Sequence, residues 1–172
     1  MGRSDFRYVA RKISRAKWQT TGSGGEPRGA PADAVTACLR TGQNRLSLWR
    51  FTDPMQDLGE VALAMAANAE RAETFDLVWL SAETLSLYEQ EETEGKTAVK
   101  DLRDRHIDVC RLDGRGLVAI ADHFFVAVQK NEVRRFREKE VIALVQTALR
   151  DGRIAPSDLP EKLRAQVITN DP

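Results

Sequence analysis

Asp76-Leu77-Val78-Trp79-Leu80 places four apolar residues in succession. A short run without polar alternation reads as a strand buried on both faces, an interior member of a sheet. Working outward, residues 45–51 form a second strand, with Leu46, Leu48 and Arg50 facing one way and Trp49 and Phe51 the other. Residues 6–13 form a third, because Tyr8, Val9 and Ile13 favour strands, although Phe6, Val9, Ile13 and Ala16 also have helical spacing. Residues 106–112 give a fourth.

Helices fill the gaps. Pro31 opens one that runs to about Arg40, with Ala34, Val35, Cys38 and Leu39 as its apolar stripe and Gly42 to close it. Asp53-Pro54 opens another, with Gln56 at the capping-box position and Leu58, Val61, Ala62, Met65, Ala66 and Ala69 on one face. Short helices are expected over 81–88 and 97–105, with an acidic solvated loop over 89–95. Leu117, Ile120, Ala121, Phe124, Phe125 and Val128 recur at helical spacing, and so do Val141, Ile142, Val145, Ala148 and Leu149, with Gly152 as a stop. A last helix carries Leu159, Leu163 and Val167. Strand–helix alternation followed by helices predicts an α/β fold. The expected form is a small mixed sheet of about four strands with packed helices, a flexible Gly-rich loop over 19–30 and a helical C-terminal segment over 131–172. All of it fits one domain of 172 residues.

Composition narrows the function classes. Apolar residues make up 42% and charged residues 30%, with a formal net charge of zero, which is ordinary for a globular chain and wrong for a disordered one. A polyelectrolyte that seeks DNA or an anionic membrane would carry excess charge. No stretch approaches the roughly 18 apolar residues of a membrane span. The basic N-terminus has no apolar segment behind it, so neither a secretory signal nor a membrane partner is expected. Cys38 and Cys110 are far apart and match no metal or redox spacing, which points to reduced thiols in a cytoplasm. The basic residues are mostly Arg (19 of 26), a composition typical of a GC-rich bacterial genome.

Three features could carry chemistry. The first is a basic cluster of Arg3, Arg7, Arg11, Lys12, Arg15 and Lys17, closed by Trp18 and opposed only by Asp5. Arginines fork to phosphates and Trp18 or Tyr8 can stack on bases, so the cluster fits nucleic acid if its groups share one exposed face. Clusters of this kind are more often structural charge paired with acids, here those of 83–94.

The second is His106, set among Asp101, Asp104 and Asp108. A carboxylate beside it, Asp104 or Asp108, could orient it for acid–base work in a small hydrolase or nuclease. No His-x-x-x-His or His-Glu-x-x-His occurs, His123 stands apart, and neither a metal nor a cofactor is expected. The ordinary alternative is a capping or surface histidine.

The third is the run Thr21-Gly-Ser-Gly-Gly25, which lacks the Gly-Lys-Ser/Thr ending of a Walker loop and the third glycine of a dinucleotide fingerprint. Ser81 follows a strand but has no Gly-x-Ser-x-Gly elbow.

A second basic cluster, Lys130, Arg134, Arg135, Arg137 and Lys139, is expected on a helix. Basic ends flanking an acidic middle on a neutral chain suit oriented docking. The leading expectation is therefore a non-enzymatic accessory, adaptor or inhibitor subunit of a bacterial complex. Nucleic-acid binding through Arg7, Arg11, Lys12, Arg15 and Lys17, and an enzyme centred on His106, are the alternatives.

Overall fold

The computed structural model describes residues 6–19 and 29–169. One sheet of six strands runs through them: β1 (Tyr8–Ile13), β2 (Leu46–Phe51), β3 (Phe75–Ser81), β4 (Gln90–Glu92), β5 (His106–Val109) and β6 (Val133–Phe136). Its order is β4-β5-β2-β1-β3-β6, and every pairing is antiparallel. The α/β class is as expected, but the sheet has six strands where about four were expected, and it is antiparallel rather than mixed. The two extra strands are short edge strands. β4 lies in the stretch expected to be an acidic loop, and β6 lies where a basic helix was expected.

β3 is the interior strand its sequence announced, held between β1 and β6 with Leu77 and Val78 fully buried. The sheet separates two apolar layers. One face packs Trp49, Phe51, Phe75, Leu77 and Phe136 against α3 (Leu58–Ala66), α5 (Glu138–Arg150) and α6 (Glu161–Thr169). The other packs Val9, Leu46, Leu48, Val78 and Ile107 against α1 (Arg15–Trp18), α2 (Ala32–Cys38) and α4 (Gly114–Gln129). Burial of both faces explains why β3 shows no period-two pattern.

The helix ends follow from local chemistry. The Asp113 side chain accepts from the Gly116 N–H at 2.7 Å and starts α4. Asn131 stops α4 in a left-handed conformation (φ 61°), and the Glu132 N–H reaches back to the Ala127 carbonyl. That stop turns the chain into β6. Gly152 (φ 71°) ends α5 in the same way, with the Arg153 N–H on the Ala148 carbonyl, as the sequence implied.

The helix expected after Asp53 begins later, at Leu58. Asp53 caps the Met55 N–H at 2.7 Å, and Asp57 accepts from the N–H groups of Thr52 and Asp53. Residues 82–85 and 100–105 form single 3₁₀ segments rather than α-helices. The Gly-rich stretch lies outside the described residues except for Gln19, Gly29 and Ala30. None of the helices among the described residues is long and apolar enough to cross a membrane.

Candidate functional site

β1 and β2 pair from Tyr8–Phe51 to Ala10–Trp49. Beyond that point β1 stays with β3 through Arg11–Val78, Lys12–Leu77 and Ile13–Asp76, while Ser47 and Leu48 stay with β5 through Asp108 and Ile107. The sheet therefore parts into two halves at this end. Arg11 fills the gap. Its Nε donates to the Cys38 carbonyl at 2.8 Å, Nη1 to the Ser47 carbonyl at 2.5 Å and Nη2 to the Arg40 carbonyl at 3.2 Å. Burial lowers the Arg11 pKa to about 10, against the opposing pull of Cys38 and Asp108.

A cleft of about 750 Å³ opens over the gap. Arg11, Lys12, Lys17, Arg40 and Arg135 line it, against only two carboxylates, Glu73 and Asp76. Both carboxylates are engaged. Lys12 bonds Glu73 and lies 5.1 Å over the Phe75 ring. Asp76, just 4% exposed, takes a bidentate pair from Arg135 at 2.9 and 3.1 Å and the Arg15 N–H at 3.3 Å. These contacts hold the cationic groups of Lys12 and Arg135 at the cleft.

Lys12, Ser47, Trp49 and Met65 also border an adjoining chamber of about 460 Å³, which Asn68, Thr93, Glu94, Lys96, His106 and Asp108 complete. In β5, residues 106 and 108 fall on one face by strand alternation. Asp108 accepts from Ser47 Oγ at 2.8 Å and lies 3.9 Å from Arg45 Nη1, which itself bonds Glu91. His106 is half-buried. Its ring meets Trp49 edge-on (5.2 Å, 75°), and Nδ1 lies 2.6 Å from Thr93 Oγ1. Burial lowers its pKa and Arg11 lowers it further, while Asp108 opposes the shift.

The loop that supplies Thr93 and Lys96 crosses directly over these rings. The Thr93 N–H donates to the His106 carbonyl and the Gly95 N–H to the Arg103 carbonyl. A Cβ on Gly95 would stand 2.5 Å from Trp49 Cη2 and 3.0 Å from His106 Cβ, so only glycine fits.

Of the residues singled out in the sequence, His106 and Asp108 share the chamber. Asp104 does not. It lines a separate hollow, and its carbonyl accepts from Arg50 Nη2 at 2.7 Å.

The basic cluster does not form one face. Strand alternation sends Arg11 and Lys12 to opposite sides of β1, and Arg11 is spent on carbonyls. Arg15 turns to Asn131 Oδ1 at 3.0 Å, and exposed Arg7 lies before β1 and outside the cleft lining. Of the described members of the cluster, Arg11, Lys12 and Lys17 line the cleft. Arg3 lies outside the described residues. Trp18 is fully buried edge-on to Phe124, so its ring is not offered to a base, and half-buried Tyr8 stacks on Phe51.

Ser47, Thr93, Gly95, Lys96 and Arg40 were not foreseen. None sits in a motif, and only the strand order brings them together. Cys38 and Cys110 are free, buried thiols. The Cys38 Sγ accepts from the Ser14 N–H at 3.3 Å. Burial raises the Cys110 pKa. No group of three or more His, Cys, Asp or Glu able to hold a metal occurs among the described residues. No protein-family model, curated protein or solved structure matches the chain.

Proposed function

We propose that the protein works by docking, taking an acidic segment of a partner protein into the cleft where β1 and β2 part. In this reading it is an accessory, adaptor or inhibitor subunit of a bacterial cytoplasmic complex. One observation carries the reading: five cationic residues line a single cavity that holds only two acids, and with Lys12 paired to Glu73 and Arg135 to Asp76, Arg11, Lys17 and Arg40 remain as its excess positive charge. A concave basic site steers and orients an acidic partner, and it does so in a salt-dependent way. Nucleic acid fits the same charge less well. Single strands bind largely by stacking on open aromatic rings, and the aromatic residues here, Trp49 and Phe75, are 7% and 6% exposed.

The test is affinity purification from the native host, with wild-type protein beside a Lys17→Glu/Arg40→Glu variant. A partner protein should co-purify with the wild type, leave as salt rises and be lost from the variant. Recovery of nucleic acid instead, or equal recovery by the variant, sinks the reading.

A second reading rests on His106 and Asp108 opening on the same chamber beside Ser47. That arrangement suits a small hydrolase or nuclease. It requires that purified protein turn over an ester or phosphodiester, and that His106→Ala erase the turnover with little loss of thermal stability.

A further inference from the structure

The chamber at His106 offers more than a continuation of the basic cleft, and its chemistry follows from one short contact. Thr93 Oγ1 lies 2.6 Å from Nδ1. Either partner can donate in this contact, and the ring's tautomer decides which. Where the hydroxyl donates to Nδ1, a neutral ring carries its proton on Nε2. Burial favours the neutral ring and Arg11 adds to it, against the pull of Asp108.

No hydrogen bond to Nε2 is made among the described residues, and the chamber that His106 lines also receives Lys12 and Lys96. Asp108 already accepts from Ser47 Oγ. Glu94, the other acid of the chamber, and Lys96 are both exposed, and Lys12 is bonded to Glu73. Thr93 is thus a positioning residue. The tight crossing at Gly95 keeps its loop against the ring.

We propose that the Thr93 hydroxyl donates to Nδ1, and that an oxyanion of the bound ligand, a carboxylate or a phosphate, is anchored on the Nε2–H of His106 with the ammonium group of Lys96 beside it. This rests on the docking reading above and names the point where the acidic segment is fixed. Free phosphate has the same chemistry, and the experiment separates the two sources.

The probes are an octaglutamate peptide and inorganic phosphate, added to protein labelled with ¹⁵N in histidine. In the free protein, two-bond ¹H–¹⁵N correlations should place the His106 proton on Nε2. Thr93→Val should release the ring to a mixture of tautomers. Saturable addition of the peptide should move the Nε2 resonance. His106→Leu should weaken peptide binding about tenfold or more, the worth of one hydrogen bond to a charged group. His106→Gln, whose amide can donate from nearly the same place, should retain most of the affinity.

A proton found on Nδ1 overturns the inference. So does an Nε2 resonance unmoved by either probe. Peptide binding that leaves Nε2 unmoved overturns the anchor while the docking reading survives. Phosphate that moves Nε2 when the peptide does not bind keeps the anchor and sinks the acidic segment.

Discussion

Arg11 on β1 donates to the carbonyl of Ser47 on β2 at 2.5 Å, across the place where the two strands cease to pair. A side chain there substitutes for a rung of the ladder, and its other nitrogens hold the end of α2 through Cys38 and Arg40. An ion that needs no carboxylate partner because three carbonyls solvate it is a structural device, and it keeps the cleft open.

Arg11→Leu should therefore destabilise the fold by about 2 kcal/mol, since three carbonyls lose a charged donor and part of that loss is made up by water. Arg11→Lys should recover only a fraction, because a single ammonium cannot span three acceptors with the planar fork. Urea denaturation of the three proteins checks this. Equal stability of Arg11→Lys and wild type would remove the wedge from the account.

Gly95→Ala should cost about 1–3 kcal/mol, the range for forcing atoms into a filled space. The new methyl meets the six-membered ring of Trp49 and the Cβ of His106, neither of which is a flexible tip. Thermal unfolding and the near-ultraviolet circular dichroism of the tryptophans should change together. Gly42→Ala, where an added Cβ meets nothing within 4 Å, serves as the control.

The Asp76–Arg135 pair should respond asymmetrically. Asp76 is buried, whereas the Arg135 side chain is 57% exposed. Removing the arginine strands a buried carboxylate with only the Arg15 N–H, so Arg135→Met should cost about 2 kcal/mol or more. Asp76→Asn leaves an arginine free to turn to water and should cost about 1 kcal/mol. Chemical denaturation of both variants would show the order. The reverse order would mean that Asp76 is solvated.

His106 gives stability a pH dependence of known sign. Its folded pKa lies below the ordinary 6.5, chiefly from burial. The unfolded chain then binds the proton more readily, so the contribution is complete above 6.5 and is lost as pH falls below it. His106→Gln should flatten the stability profile below pH 6.5. A slope equal to that of wild type would place the effect elsewhere, with Asp108, Arg11, Lys12 and Lys96 as the charged neighbours to test.

What the sequence made legible was whatever depended on near neighbours. Leu77 and Val78 announced an interior strand. The spacing from Leu117 to Val128 and from Val141 to Leu149 announced α4 and α5. β4 and β6 stayed hidden because three or four residues at a sheet edge need no period of their own. Val133 and Phe136 are buried with Arg134 and Arg135 exposed between them, which resembles neither a strand nor a helix. His106 and Asp108 could be found together because they are two residues apart on one strand. Their meeting with Lys12, Ser47 and Lys96 depends on β2 lying between β1 and β5, an order that no local pattern encodes.

That same strand order has a consequence during synthesis. Among the described strands Tyr8–Ile13 is made first, yet it occupies an interior place, and the neighbour it pairs with most fully ends at Ser81. At about 5–20 residues per second, the emerging chain carries an unprotected ribbon for on the order of several seconds. Deleting Tyr8–Ile13 would take out the keystone, whereas deleting α6 would remove only part of one cladding layer.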